Sequence, residues 1–295
     1  MELEIKNVSK KFKDKLAVDN ASATLCPGVW GLLGANGAGK TTLIKMITGI
    51  STPSQGEILY NGERINKLGE EYRNLLGFLP QEFICAPEFT VNSFLQYVAA
   101  LKGIDKSKTE EMIDKLLEVL NLSDVKYKKV VKLSGGMRRR VGICQAILND
   151  PKILILDEPT AGLDPGERIK LRNFITEISK NKIVLLSTHI VSDIEYISTS
   201  NLIMKDGKFV YSGTTDELIS KIKNKVYEAS ISNREYAEKE TQLNVVNVKQ
   251  QDDGNVLIRY ISDKDDVLNN SKLTKAHLED FYLWVFPEDR SFKVN

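Results

Sequence analysis

An eight-residue stretch with three glycines constrains this chain more than any other feature. Residues 34–41 match the pattern G-x-x-x-x-G-K-[ST] at every fixed position. An apolar run at 29–33 precedes the stretch, and residues 42–47 follow it with helical spacing. In this order of strand, loop and helix, backbone N–H groups and a helix N-terminus can surround a phosphate. The predicted polyphosphate-binding residues are Gly34, Ala35, Asn36, Gly37, Ala38, Gly39, Lys40, Thr41 and Thr42.

Two carboxylates at the end of another apolar run add a second part to this site. Residues 153–156 read Ile-Leu-Ile-Leu, and Asp157 and Glu158 follow directly. Hydrolysis of a nucleoside triphosphate needs one group near Mg²⁺ and another near the attacking water. We therefore expect Asp157 and the Thr41 hydroxyl to lie at Mg²⁺, while Glu158 accepts a proton from water. Lys40 is expected to add positive charge at the phosphates.

The overall charge offers no attraction for nucleic acid or for an anionic membrane. Lysine and arginine number 41 against 40 aspartates and glutamates, so the formal net charge is +1. No stretch approaches the ~18 apolar residues needed to cross a bilayer, and the first residues lack the pattern of a secretory signal. Cys26, Cys85 and Cys144 lie far apart, without metal-ligand spacing. These features predict a cytosolic chain with reduced cysteines and no nucleic-acid partner.

Apolar periodicity predicts an α/β fold built as a P-loop NTPase core. Continuous apolar runs at 153–156 and 183–186 are typical of buried parallel strands, and residues 166–180 have the spacing of a crossover helix. Alternation at 3–8 predicts a hairpin ahead of the loop strand. Helical periodicity prevails within about 82–148. We therefore expect a mainly parallel sheet, an N-terminal antiparallel β subdomain and a helical subdomain.

A third element with adjacent glycines lies at residues 133–137, which read Leu-Ser-Gly-Gly-Met. The small hydroxyl and two glycines of Ser134, Gly135 and Gly136 predict another anion-binding turn at a helix start. With the phosphate loop and the acidic strand end, this element makes the chain resemble the nucleotide-binding subunits of ATP-binding cassette (ABC) transporters, whose signature is LSGGQ. The resemblance covers residues 1 to about 220. It implies two subunits placed head to tail, each signature completing the other's ATP site.

Further residues match the family's pattern in order, and the resemblance gives each a role. Phe12 is expected to stack on adenine. Gln81 is expected to reach Mg²⁺ and to link the site to the helical subdomain. His189 matches a histidine that hydrogen-bonds the γ-phosphate, which makes it a catalytic candidate beside Glu158 and Lys40. Residues 161–164 match the loop that meets its counterpart across the dimer.

Three positions depart from the family's usual residues. Met137 stands where the signature usually has glutamine, Ala35 where proline is common and Ala161 where serine is common. The Met137 position predicts the loss of a polar contact to the partner's nucleotide, while the Ser-Gly-Gly turn is kept. Because Glu158 is retained, the sequence favours a site that hydrolyses ATP over one that only binds it.

The resemblance implies an ATP-hydrolysing subunit that powers a separate membrane permease, with ATP and Mg²⁺ as cofactors. ATP would close a dimer of two such chains, predicted to be a homodimer, on the inner face of the cell membrane. The alternative is a soluble ABC ATPase acting on nucleic acid or ribosomes, although about ninety residues without sustained heptads separate the loop from the signature. A third possibility is a GTP-dependent switch, but this chain lacks the Asn-Lys-x-Asp motif with which such proteins recognise the base.

The chain becomes more polar and charged near residue 222, which predicts an ATPase domain at 1–221 and a small accessory domain at 222–295. Alternating stretches within 226–261 predict a small sheet. Apolar residues within 278–285 have the spacing of an amphipathic helix that packs on this sheet. The segment 278–283 resembles the tail of exporter-type ABC subunits of drug and antimicrobial-peptide systems, which implies export.

Overall fold

A computed structural model of the chain describes residues 1–263 and 267–287. The chain divides into two compact units, Met1–Ser212 and Gly213–Asn295. The division lies upstream of the boundary predicted near residue 222, because the short helix between the two positions packs within the second unit. Across the described residues, no helix is both long enough and apolar enough to span a membrane.

The strands of the first unit include those predicted at 3–8, 29–33, 153–156 and 183–186. They are β1 (Leu3–Phe12), β2 (Lys15–Leu25), β3 (Gly28–Leu33), β4 (Gln55–Tyr60), β5 (Glu63–Arg64), β6 (Leu76–Leu79), β7 (Ile153–Asp157), β8 (Ile183–Thr188), β9 (Ser200–Lys205) and β10 (Lys208–Gly213). The helices of this unit are α1 (Lys40–Ile47), α2 (Ile65–Leu68), α3 (Glu70–Leu75), α4 (Val91–Leu101), α5 (Lys106–Val119), α6 (Gly135–Ile147), α7 (Pro165–Ile178) and α8 (Ser192–Glu195).

Two sheets form the body of the first unit. The larger sheet has the order β10-β9-β3-β8-β7-β6, and β3 pairs in parallel with both β8 and β9. The smaller sheet has the order β2-β1-β4-β5, and its strand pairs are antiparallel. Helix α1 packs between them, with Leu43, Ile44 and Met46 fully buried in one apolar core. The predicted α/β fold is therefore confirmed, and the carboxyl ends of β3, β7 and β8 meet at one edge, where ligands of such sheets bind.

The helical subdomain inserts between β6 and β7. Helix α4 begins with a capping box in which Thr90 and Ser93 each accept a hydrogen bond from the other's backbone N–H. Helix α5 begins at the Asp105 cap, and α6 begins at Ser134. Leu95 on α4 and Ile113 on α5 are fully buried, so these helices share an apolar interior. Helix α6 carries the signature residues at its N-terminus.

The second unit holds a small antiparallel sheet and its helices. Its elements are α9 (Thr215–Ser220), β11 (Val226–Ser232), α10 (Asn233–Lys239), β12 (Asn244–Gln250), β13 (Asn255–Ile261), β14 (Lys272–Leu273) and α11 (Leu278–Val285). The strand order is β12-β13-β11-β14. Ala229, Ile258 and Tyr260 are buried on one face, and the Asp280 side chain on α11 binds Arg259 of β13. The sheet and the terminal helix agree with the sequence, whereas α10 was not predicted.

Candidate nucleotide-binding site

The loop between β3 and α1 depends on glycine at specific positions. Gly37 and Gly39 have φ angles of +84° and +107°, which L side chains rarely adopt. A Cβ on Gly39 would lie 2.4 Å from the carbonyl oxygen of Ala17, and one on Gly34 would lie 2.3 Å from that of Met204. Both neighbours are backbone atoms, so neither can rotate away. The loop is therefore held in a turn that only this pattern of glycines allows.

The Lys40 ammonium group lies inside this loop. Its Nζ donates hydrogen bonds to the carbonyl oxygens of Gly34 at 2.6 Å and Ala35 at 3.1 Å. The side chain begins at the first residue of α1 and is buried, with 8% of the residue exposed. The lysine thus places a cation at a helix N-terminus, where the helix dipole also favours an anion. This arrangement suits a bound polyphosphate.

Asp157, at the end of β7, accepts hydrogen bonds from two hydroxyl groups. Thr41 Oγ1 donates to Asp157 Oδ2 at 3.3 Å, and the Ser187 hydroxyl of the neighbouring strand β8 donates to Oδ1. In the described part of the chain, no three His, Cys, Asp or Glu side chains gather as a metal cage. Mg²⁺ does not require one, because it takes a few protein oxygens together with phosphate and water. The oxygen-rich pair of Thr41 and Asp157 fits that preference.

Glu158 occupies a left-handed backbone position directly after β7. Its φ angle is +55°, and its N–H donates to the carbonyl oxygen of Ser187 at 2.9 Å. His189 Nδ1 lies 3.0 Å from Oε1 and 2.9 Å from Oε2 of this carboxylate, and the geometry suits a hydrogen bond to Oε1. The carboxylate is therefore oriented by the histidine, and Glu158 also lines the cavity described below. A carboxylate at a cavity wall can accept a proton from water.

These groups surround a cavity of about 440 Å³, a volume typical of small-molecule sites. Its lining consists of Phe12, Lys15, Ala17, Asn36, Gly37, Gly39, Lys40, Thr41, Thr42, Gln81, Asp157 and Glu158. The Phe12 ring is about half exposed and lies 5.3 Å from Lys10 Nζ, so one face remains available to a ligand. Gln81 is exposed beside the acidic pair. The structure therefore gathers the predicted loop, aromatic, glutamine and carboxylates around one cavity.

The signature residues do not line this cavity. Ser134 caps α6 by accepting a hydrogen bond from the N–H of Met137 at 3.2 Å, and Ser134 and Gly135 are exposed. Gly136 is buried, and a Cβ there would lie 3.1 Å from the carbonyl oxygen of Gly162. The signature thus packs against the loop at 161–164 in the same chain and leaves its first two residues open.

Several residues of the site were not identified from the sequence. Lys15 and Ala17 enter the cavity from the turn and start of β2. Ser187 reaches Asp157 because β7 and β8 are neighbours in parallel register, a pairing that the sequence order does not specify. Arg139 donates a hydrogen bond to the carbonyl oxygen of Asp157, although it belongs to a run of three arginines. Each was hidden because its role depends on tertiary contacts.

A glycine-shaped loop before a helix, a buried lysine and a rigid acidic strand end define the P-loop class of nucleoside-triphosphate sites. Comparison with known proteins identifies the family within this class. The ABC transporter family model matches residues 18–161. An uncharacterized ABC transporter ATP-binding protein YxlF of Bacillus subtilis is 36% identical, over 79% of this chain and 77% of that protein.

Two further matches extend the comparison, one to nearly the whole chain and one to a solved structure. A Nod factor export ATP-binding protein I of Burkholderia thailandensis is 33% identical, over 95% of each chain. A solved structure described as the ATP-binding subunit of an ABC transporter has a TM-score of 0.70 and 30% identity, over 75% of this chain and 93% of that one. The chain belongs to the ABC transporter ATP-binding proteins, and it is the ATP-binding, ATP-hydrolysing subunit of such a transporter. Subunits of this kind dimerise and act with membrane permeases.

Proposed function

We propose that this chain hydrolyses ATP at the cavity in an Mg²⁺-dependent reaction, within an ATP-induced homodimer that drives export through a separate permease. One observation carries the dimer. The cavity contains the phosphate loop, the acidic strand end and Phe12, whereas Ser134 and Gly135 are exposed outside it. An anion-binding turn at the start of a helix is chemically useful only if a phosphate reaches it. A second copy placed head to tail supplies that phosphate.

The residues around the cavity divide the work of hydrolysis. Lys40 and the loop N–H groups hold the phosphates, and Phe12 offers a face for adenine stacking. Thr41, Asp157 and Gln81 would hold Mg²⁺, which neutralises charge that develops on the phosphates.

Water is activated at the carboxyl ends of β7 and β8. Glu158 takes the proton from water, and His189, which contacts this carboxylate, would donate a hydrogen bond to the γ-phosphate. The loop at 161–164 would meet its counterpart in the dimer.

Export and the membrane position rest on the relatives. The Burkholderia thailandensis protein is named for export, and its match extends over both units of this chain. ATP-binding subunits of this kind act with membrane permeases, and on that basis we assign this chain a separate permease. The chain would then lie in the cytoplasm, held to the inner face of the membrane through that permease. The prediction of an ATPase domain at 1–221 and an accessory domain at 222–295 is kept as two domains, with the division between them moved to follow Ser212.

A charge placed on the signature separates the dimer from nucleotide binding. Ser134→Arg should abolish ATP-induced dimerisation in a Glu158→Gln background, because the arginine fills the exposed turn. Each monomer should still bind ATP, since its own cavity is complete. Light scattering with ATP measures the dimer, and fluorescent-nucleotide titration measures binding. Ser107→Arg, at the start of α5, is the matched control and should dimerise normally. An ATP-bound dimer of Ser134→Arg, or undiminished turnover of Ser134→Arg in the otherwise wild-type chain, would contradict the proposal.

A further inference from the structure

Three consecutive arginines at the start of α6 have three different environments. Arg138 is exposed, whereas Arg139 and Arg140 are buried, with 6% and 8% of each residue exposed. Arg140 donates to the carbonyl oxygens of Leu120 and Asn121 and pairs with Glu167, so it belongs to the helical subdomain and α7. Only Arg139 points to the edge of the sheet where the cavity lies.

The Arg139 guanidinium joins the ends of two strands. Its Nη1 donates hydrogen bonds to the carbonyl oxygens of Pro80 and Gln81, each at 2.7 Å. Its Nη2 donates to the carbonyl oxygen of Asp157. Pro80 and Gln81 follow β6, and Asp157 ends β7, so one planar group fixes the backbone on both sides of a strand pair. The side chains of Gln81, Asp157 and Glu158 line the cavity at these strand ends.

Burial alone would disfavour this cation. Desolvation lowers the pKa of Arg139, while the nearby charges of Asp157 and Glu158 oppose that shift. The guanidinium therefore compensates part of the negative charge at the acidic strand end, yet it donates hydrogen bonds to the backbone carbonyl oxygens of Pro80, Gln81 and Asp157 and leaves both carboxylates for ligands. A cation placed in this way orients an acidic site without occupying it.

Helix α6 is pressed against β6 along its length. A Cβ on Gly77 of β6 would lie 2.0 Å from the carbonyl oxygen of Ala146, and one on Gly142 of α6 would lie 2.6 Å from Leu79 Cδ1. These close approaches leave α6 little freedom to slide along β6. The signature turn at the start of α6 is therefore attached to the same backbone that Arg139 holds.

We propose that Arg139 is a positioning residue: by fixing the backbone at Gln81 and Asp157 it sets the affinity of the nucleotide site for Mg²⁺. The inference rests on the proposed Mg²⁺-dependent function. Outer partners that orient metal ligands typically contribute about tenfold or more to metal affinity. Lysine keeps the charge but cannot donate to three carbonyls in the geometry of the guanidinium fork.

Arg139→Lys tests the fork while retaining the charge. Mn²⁺, which reports on the Mg²⁺ site by electron paramagnetic resonance, is titrated into the full-length protein saturated with a non-hydrolysable ATP analogue. The dissociation constant for Mn²⁺ should rise about tenfold. Binding of the analogue in the presence of EDTA should stay within about twofold, because the phosphate loop is untouched. A purely structural role would not divide metal from nucleotide in this way.

Two variants control for charge and for loss of helix packing. Gln145 also joins α6 to β6, through a 2.6 Å hydrogen bond to the carbonyl oxygen of Phe78, so Gln145→Met should leave the affinity for Mn²⁺ unchanged. Arg139→Gln removes charge as well, which by electrostatics alone would tighten Mn²⁺ binding; weaker binding is expected instead.

Unchanged affinity in Arg139→Lys, tighter binding in Arg139→Gln, or equal weakening in Gln145→Met would each overturn the inference. A folded wild-type protein that binds the analogue but no Mn²⁺ would refute the Mg²⁺-dependent function itself. Thermal unfolding of each variant confirms that the proteins compared are folded. If Arg139→Lys does not fold, Arg139→Gln carries the test.

Discussion

Two acidic clusters, one in each unit, use arginine in opposite ways. In the second unit Arg259 binds both oxygens of Asp280 at 2.8 and 2.7 Å, an oxygen of Glu228 at 2.8 Å and the carbonyl oxygen of Lys275 at 2.6 Å. In the first unit Arg139 binds carbonyl oxygens beside an acidic pair. The Arg259 cluster of the second unit satisfies its charges internally, whereas the Arg139 cluster of the first unit leaves carboxylates facing a cavity.

The difference separates a structural network from a working site. The Asp280 carboxylate raises the pKa of Arg259, since the two groups share hydrogen bonds, and Asp280 is only 4% exposed. Glu158, by contrast, lines a cavity of about 440 Å³. Closed charge networks stabilise a fold, and open ones bind and react.

The largest effect is expected where the open cluster performs chemistry. Glu158→Gln should lower ATP turnover about a thousandfold, because an amide cannot accept the proton from water that a general base removes. ATP affinity should change little, since Lys40 and the loop are intact. Steady-state phosphate release and nucleotide titration measure the two quantities.

A matched change at the same site sharpens that result. His189→Gln keeps a hydrogen-bond donor near Glu158 and should reduce turnover less than Glu158→Gln does. The assignment of the base would be wrong if Glu158→Gln lost less than about tenfold, since a general base contributes at least about a hundredfold.

The closed cluster should respond in stability and not in turnover. Arg259→Met leaves Asp280 and Glu228 without their cation, and breaking such a buried pair costs about 3 kcal/mol. Hydrogen exchange of backbone amides in β11 and β13 should accelerate in the full-length chain, while ATP turnover stays within about twofold because the cluster contributes nothing to the cavity.

An exposed pair in the same unit provides the control. Arg234 and Glu238 form an i,i+4 pair whose side chains are 90% and 62% exposed, so Arg234→Met should cost no more than about 0.5 kcal/mol. Equal acceleration of exchange in both variants would show that the buried Arg259 cluster contributes no more to stability than the exposed pair does.

Prediction from sequence succeeded where local pattern and structure share a cause. The phosphate loop followed from the φ angles that Gly37 and Gly39 permit, and the buried strands followed from continuous apolar runs. Helix α10 was missed because Asn233–Lys239 is mostly polar and presents little apolar periodicity; Tyr236 is its contact with the sheet's core.

The site shows a different limit. Arg138, Arg139 and Arg140 are identical in sequence, and no local pattern indicates which one reaches the carbonyl oxygen of Asp157. Ser187 and Asp157 meet only because β7 and β8 are adjacent in the sheet. Contacts between side chains of neighbouring strands depend on the tertiary structure, so composition and periodicity cannot predict them.

The smallest effect belongs to the aromatic wall of the cavity. Phe12→Ala should weaken ATP binding by about 1 kcal/mol, or roughly fivefold, because stacking of a base on an aromatic ring contributes about that much. The maximal turnover rate should stay near wild type, since Phe12 touches no reacting phosphate. Phe12→Tyr should bind ATP normally. Leu16→Ala removes an exposed apolar side chain from the same hairpin and should have no effect on affinity. If Leu16→Ala and Phe12→Ala weakened binding equally, the contribution would come from the hairpin and not from stacking on the ring.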